Sequence, residues 1–468
     1  MSDKQRHSLS LCQELSEKSL TEVWVAQIWD NSGWTYKTLG FISVTQRQRT
    51  AQRSVRMRIV FVTETLVTGG AETFVLRVAS ALQVRGVQVS ICVLRPDKID
   101  PALVTALAPN VTLIQLGMPT IYMLCSRFDG LLYLLGSSFS IVRSLQAHCL
   151  KQYLAARGAT VVHSNLLASD LVVADVAETL SIPWITTIHG DYLAIEDTGN
   201  SRAMRLQDFT RAVHKIENSV SHVVCITDRQ ISMVQRVFPR IASENRFSKI
   251  YNGYPNREQQ WRRSMPEVIA RVPDDAFVIG MVGRGRREKG WDALISAFRK
   301  LDLPNAWLIL VGDGDYLTEV RQIVDDDRII FAGNVADPLR YIARFDVGCM
   351  ISRIPSESLP TVVIEYLLLN KPVVATDVGE VRNMIDGSGD DPAGLLVKLG
   401  ECDEMSAEVS IALKRLSSDK ALFETLRANT AKALQKFDMD KCLDSYLTLY
   451  RAPRSASVRD DEVDRSIC

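Results

Sequence analysis

The feature that most constrains this chain is a rhythm that runs twice. Short β-branched runs alternate with helix-length amphipathic stretches, pause, and then restart. The first pass places strands at 57–63, 87–94, 160–163, 184–188, 222–226 and 249–251. After a polar, linker-like stretch at 253–273, the second places them at 277–282, 307–311, 329–331, 346–351, 372–375 and 395–397. Such alternation is the pattern of parallel sheets covered by helices, so the expected class is α/β with two doubly wound units. The length of 468 residues agrees, because single cores rarely grow past roughly 250–300 residues. Open parallel sheets bind ligands at the carboxyl ends of their strands, and two facing units put a cleft between them.

Composition narrows the partner. With 55 basic and 55 acidic residues the formal charge is zero, which gives no electrostatic footprint for nucleic acid. The nine cysteines fall in no Cys-x-x-Cys or Cys/His cluster, against structural zinc and against a disulfide framework, so a cytoplasmic setting is expected. The start of the chain lacks the basic, apolar and small-residue sequence of a signal peptide. Residues 1–56 show no sustained period of 2 or 3.6 and read as an atypical or disordered extension; Met57, which opens the first regular strand, is a candidate initiator. The polar tail 452–468 reads as disordered. The apolar stretch 121–135 is interrupted by Arg127 and Asp129 and is too short for a membrane span, which needs about 20 residues. With Tyr122, Phe128 and Tyr133, the longer segment 121–139 is either core or a lipid-facing surface.

The segment richest in chemistry runs from Ser356 through Glu357, Ser358, Leu359, Pro360 and Thr361 to Glu365, ahead of the strand-like Lys371-Pro372-Val373-Val374-Ala375. Pro360 suits a first helical turn, where a missing N–H costs nothing. The N–H groups of such a helix start, with its dipole, offer a site for a diphosphate. Glu357 precedes the helix and Glu365 lies inside it, so two carboxylates meet different hydroxyl-rich parts of one extended ligand. A second constellation, Gly283-Arg284-Gly285-Arg286-Arg287-Glu288-Lys289-Gly290, ends the first strand of the second unit. Cations there suit a leaving diphosphate that gains charge in a transition state. The dehydrogenase-type Gly-x-Gly-x-x-Gly is absent. Thr68-Gly69-Gly70-Ala71-Glu72 follows the first strand, where glycine lets a backbone come close to a ligand. Asp313 and Asp315 superficially match an Asp-x-Asp metal motif.

Two glutamates seven residues apart across a loop-to-helix junction, with the Gly-Arg and Lys-Gly settings, resemble the large family of retaining glycosyltransferases numbered four, also called glycosyl transferases group 1. The resemblance runs from residue 57 to about 451. It implies the GT-B fold: two Rossmann-like domains facing across a cleft, an acceptor-side domain at 57–254 and a nucleotide-sugar-binding domain at 255–436. A last helix at about 437–451 would return to brace the first domain. It assigns Glu357 to the transferred sugar, Glu365 to the ribose, and Arg284 and Lys289 to the diphosphate. His189 would lie beside the sugar, with Gly70, Gly283, Leu359, Pro360 and Thr361 in the donor site and Val335 in a loop that holds the base. The family uses cations and helix dipoles in place of a divalent metal, so neither metal nor cofactor is expected and Asp313–Asp315 is discounted. The family usually has glycine where Ser358 stands, which touches the fit of the donor sugar. The expected function is transfer of a sugar from a nucleoside diphosphate, most commonly UDP, to a glycan or lipid-linked acceptor in surface polysaccharide synthesis, with possible peripheral contact at a membrane. A nucleotide-sugar epimerase or a non-catalytic sugar-nucleotide-binding protein of the same fold is the alternative.

Overall fold

The computed structural model describes residues 57–452 apart from 68, 117–118, 136, 138, 191–205, 256–265, 388 and 390, together with the backbone of 25–30 and 33–38. Its first sheet has nine strands: β1 (Val25–Asp30), β2 (Gly33–Thr38), β3 (Arg58–Thr63), β4 (Gln88–Val93), β5 (Thr112–Gln115), β6 (Val161–Asn165), β7 (Trp184–Ile188), β8 (His222–Cys225) and β9 (Phe247–Lys249). Their order is β2-β1-β5-β4-β3-β6-β7-β8-β9. The second sheet has six: β10 (Phe277–Val282), β11 (Ala306–Val311), β12 (Ile329–Gly333), β13 (Val347–Met350), β14 (Val373–Thr376) and β15 (Gly394–Val397), in the order β12-β11-β10-β13-β14-β15. All pairings among β3 to β15 are parallel.

Both faces of each sheet are buried, which is why the strands read as continuous apolar runs rather than alternating ones. In β3, Ile59 and Phe61 join a cluster with Phe74, Val78 and Leu82, while Val60 and Val62 join another with Val172, Trp184 and Val223. The second sheet divides in the same way, with Val278 on one side of β10 and Ile279 and Met281 on the other.

Three departures from the sequence reading have local causes. β5 was not expected, because four residues of sequence Thr-Leu-Ile-Gln are too short to show a period. β9 lies two residues earlier than the expected 249–251. The hairpin β1–β2 corrects the expectation that nothing regular precedes residue 57: β1 pairs antiparallel with β2 and, at Ile28 and Trp29, with the edge of β5. A short edge ribbon draws its order from that pairing rather than from a pattern of its own. The remainder of 1–56, Thr68 and the tail 453–468 lie outside the described residues.

Helix Met439–Arg451 leaves the second domain and packs on the first. It buries Cys442, Leu443, Tyr446, Leu447 and Tyr450 against the cluster that holds Phe74 and Val78. The Tyr450 hydroxyl meets His163 Nδ1 at 2.6 Å, and Tyr446 meets Thr187 at 2.9 Å. His163 is fully buried, and burial holds its pKa down to about 3, so it is a neutral structural link between β6 and this helix.

Candidate functional site

The carboxyl ends of the two sheets face each other across a cavity of about 650 Å³. Gly70, His189, Gly283, Arg284, Lys289, Glu357, Leu359, Pro360, Thr361 and Glu365 all line it. Of the residues that the resemblance assigns to the donor site, Val335 does not; it packs against the core of the second domain. A larger concavity of about 810 Å³ lies at the opposite end of the first sheet, where, among the described residues, Arg58, Arg157 and Tyr153 are the ionisable side chains. Convergence of acids and cations, not size, picks out the cleft.

The Lys289 ammonium is held by both oxygens of Glu357, at 3.0 and 2.9 Å, and Ser352 donates to Glu357 Oε2 at 2.7 Å. Two glycines make this geometry possible. Gly290 ends the turn Arg287–Lys289 at φ +77°, where a Cβ would lie 1.9 Å from the Ile351 carbonyl oxygen. Gly379 has φ +54°, and its Cβ would fall 1.6 Å from the Glu357 carbonyl oxygen. Any other residue at either position would displace the Lys289–Glu357 pair.

Arg284 extends from the turn after β10, and its carbonyl accepts the Trp291 indole N–H at 3.1 Å. Arg286 and Arg287 do not line the cavity: Arg286 pairs with Glu288 at 3.6 Å on the surface, and Arg287 stacks over Tyr316. Asp313 Oδ1 accepts the N–H of Gly314 in its own turn. Among the described residues no group of three or more His, Cys, Asp or Glu is placed to hold a metal ion.

Helix Thr361–Leu368 begins one residue later than the sequence suggested, with Pro360 as its N-cap in an extended conformation. No side chain caps it, so its first N–H groups open on the cavity. Glu365, in its second turn, accepts from the Tyr254 hydroxyl at 3.1 Å. Burial raises its pKa, against the pull of Arg77 and Tyr254. Across the cleft, helix Gly70–Val84 also starts without a side-chain cap, and a Cβ on Gly70 would meet nothing within 4 Å.

His189 Nε2 lies 3.1 Å from Asn165 Oδ1, and its ring packs on Phe74 at 5.0 Å. Burial holds its pKa down to about 3, so it faces the cavity as a neutral hydrogen-bonding group and not as an acid. The adjacent Leu166 has φ +75°, a strained value for a branched residue at the cleft rim.

Sequence reasoning missed the residues that join the domains here. Arg77 stacks over Tyr254 at 4.1 Å beside Glu365, and Asn252 lines the same wall. Glu380, only 2% exposed, accepts from Lys249 at 2.6 Å, from Tyr251 at 2.5 Å and from the Asp228 N–H at 2.9 Å. The signals were present as Tyr251-Asn252-Gly253-Tyr254 at the domain junction and Gly379-Glu380 after β14, but each acts only through the other domain.

Comparison with known proteins agrees with this arrangement. The model of glycosyltransferase family 4 matches residues 68–255, and that of glycosyl transferases group 1 matches residues 276–415. The chain belongs to glycosyltransferase family 4. It is 29% identical over 215 residues to the lipopolysaccharide core biosynthesis glycosyltransferase LpsD of Rhizobium meliloti, a match covering 42% of this chain and 59% of that protein. It is 29% identical over 231 residues to the putative teichuronic acid biosynthesis glycosyltransferase TuaC of Bacillus subtilis, covering 48% and 54%. The chain thus spans little more than half the length of these relatives. Among solved structures, Anabaena Alr3699/HepE in complex with UDP superposes with a TM-score of 0.61 at 21% identity, covering 84% of this chain and 99% of that one. Sucrose-phosphate synthase of Thermosynechococcus elongatus gives 0.63 at 19%, covering 84% and 98%. The fold is the two-domain GT-B fold of these glycosyltransferases. No helix among the described residues is long and apolar enough to cross a membrane.

Proposed function

We propose that this chain transfers a glycosyl group from a nucleoside diphosphate sugar to a hydroxyl of a glycan or lipid-linked saccharide, with retention at the anomeric carbon. The observation that carries the reading is the convergence, in one interdomain cavity, of Arg284, Lys289, Glu357, Glu365 and an uncapped helix start. Relatives named for lipopolysaccharide and teichuronic acid synthesis support a polysaccharide acceptor, and a structural relative with bound UDP supports a uridine donor.

In this reading Glu365 accepts the ribose hydroxyls, and Arg284, Lys289 and the N–H groups at Thr361 take the diphosphate. The anomeric C–O bond to the diphosphate breaks, and the charge left on the departing oxygen falls on these groups, which hold it more strongly than they hold the neutral linkage. The acceptor oxygen bonds to the same face of the sugar, and its proton passes to the departing diphosphate. Glu357 fixes the sugar and keeps Lys289 in place, and neutral His189 hydrogen-bonds a sugar hydroxyl. The cations and helix dipole supply the charge stabilisation for which other enzymes use a divalent metal.

Helix Pro119–Leu134 supplies the contact with a lipid-linked acceptor. It follows β5 at the cleft end of the first sheet and leaves Met123, Leu124, Phe128, Leu131 and Leu134 between 52% and 81% exposed. Asp129 does not face solvent idly: it accepts from Ser140 Oγ at 2.6 Å and the Ile141 N–H at 2.7 Å, tying this helix to the start of the next. An apolar face of that size, rimmed by Arg127, fits a peripheral membrane contact. The test combines purified chain, UDP-, GDP- and ADP-sugars, and acceptors in detergent or vesicles. Acceptor-dependent release of one nucleoside diphosphate is expected. Isomerisation of the donor with no acceptor present would replace this reading with an epimerase.

A further inference from the structure

We propose that Ser358, oriented by Gln230 from the other domain, reads the configuration of one hydroxyl on the transferred sugar; this rests on the donor-site reading above. Ser358 lies between Glu357 and Leu359 and borders both the main cavity and a narrow recess behind Glu357. That recess is closed by Gly190, Thr227 and Gln230 of the first domain and by Glu380 of the second.

Gln230 is 3% exposed and fixed at both ends of its amide. Its Oε1 accepts the Ile226 N–H at 2.7 Å, which turns Nε2 toward the Gly190 carbonyl oxygen at 3.4 Å and Ser358 Oγ at 3.3 Å. Its own N–H is capped by Thr227 Oγ1 at 3.1 Å. An amide satisfied in this way has one orientation, since reversing it would set its NH2 against the Ile226 N–H.

The consequence falls on the serine. Its oxygen already receives an N–H, and no acceptor for its proton is found among the described residues, so that proton is available to the cavity. Glu357, beside it, only accepts. Together they present one donor and one acceptor a residue apart at the end of the cleft next to His189. A sugar hydroxyl that donates to Glu357 and accepts from Ser358 satisfies both, whereas its epimer turns away and leaves one of them unpaired. Sites built to bond a hydroxyl discriminate through that unpaired group. A glycine at this position would offer neither the donor nor the steric stop.

The experiment uses the full chain with Ser358→Ala, which removes the hydroxyl and keeps Cβ, and Ser358→Gly, which removes both. Calorimetry compares the free nucleoside diphosphate with two donors of the same base that differ in configuration at one hydroxyl, UDP-glucose and UDP-galactose in the first instance and the corresponding pair on the base that binds. The expected result is a fall of about tenfold in the preference between the epimers for Ser358→Ala, with affinity for the free diphosphate within about twofold of the wild type. A preference unchanged in both variants, while the diphosphate still binds, overturns the inference and leaves the donor site standing. A uniform loss of affinity for all three ligands shows a purely structural role and overturns it too. If the wild type binds no nucleoside diphosphate, the donor-site reading itself falls, and this inference with it.

Discussion

Replacing Glu365 by glutamine should move stability and nucleotide binding in opposite directions. Burial raises the Glu365 pKa in the fold, with Arg77 and Tyr254 opposing and Asp337 adding to the rise. A carboxyl whose folded pKa exceeds its unfolded value lends stability below the unfolded value and loses it as pH rises through the folded one. At neutral pH the ionised carboxylate is therefore a cost to the fold. Glutamine removes that charge and keeps both the volume and an oxygen for the Tyr254 hydroxyl, now 3.1 Å away. Relief of strain at a functional site typically stabilises by about 0.5–2 kcal/mol. At about 2–4 °C per kcal/mol for a domain of this size, the melting temperature should rise measurably at pH 7–8, and the gain should shrink toward pH 5. Binding should go the other way. A hydrogen bond to a charged acceptor contributes about 1.5–3 kcal/mol, so the affinity for a nucleoside diphosphate should drop roughly tenfold to hundredfold. Scanning fluorimetry across pH and calorimetry with the nucleotide read the two effects separately. A variant less stable than the wild type with unchanged affinity would refute both the electrostatic argument and the ribose assignment.

Lys289→Ala should slow sugar transfer by about 10²–10³-fold with a much smaller change in donor affinity, because it removes charge stabilisation that matters most at bond cleavage; single-turnover rates with saturating donor decide it. Gly379→Ala, at a position that does not itself line the cavity, should nonetheless damage the site, since a Cβ at φ +54° would press on the Glu357 backbone. Transfer and melting temperature are expected to fall together, and an unaffected rate would count against the tight turn as the support of Glu357. His163, at a pKa of about 3 in the fold against 6.5 in the free chain, lends stability that is present above 6.5 and lost as pH falls through 6.5 toward 3. Each such buried histidine adds a slope of up to about 1.4 kcal/mol per pH unit in that window, so denaturant midpoints for His163→Gln should fall less steeply on acidification than those of the wild type.

The parts legible in the sequence were those whose physics is local. Both sheets announced themselves because strands buried on two faces are mostly apolar, as in Phe277–Val282 of the second and residues 59–62 of the first. Glu357 and the Pro360–Thr361 junction could be found because charge and helix start sit within a few residues of one another, and Lys289 because it stands in a glycine-flanked turn of its own, 68 positions earlier than Glu357. What stayed hidden depends on contacts far apart in sequence. Gln230 is held locally by Ile226 and Thr227 but meets Ser358, 128 positions away, only through the fold, and Glu380 meets Lys249 and Asp228 of the other domain in the same way. The 121–139 segment was ambiguous for a related reason: a helix apolar on several sides reads alike whether buried or exposed, and only packing shows Leu134 at 81% exposure. The hairpin β1–β2 owes its order to the edge of β5, which no pattern within 25–38 displays.

The central claim is that the cleft between the two sheets is a donor site for a nucleoside diphosphate sugar. Calorimetric titration of UDP, GDP and ADP into the full chain tests it most directly. Saturable one-to-one binding of one of the three, weakened by Lys289→Ala and by Glu365→Gln, is the result this account predicts. Binding of none, or binding that neither substitution alters, would contradict it.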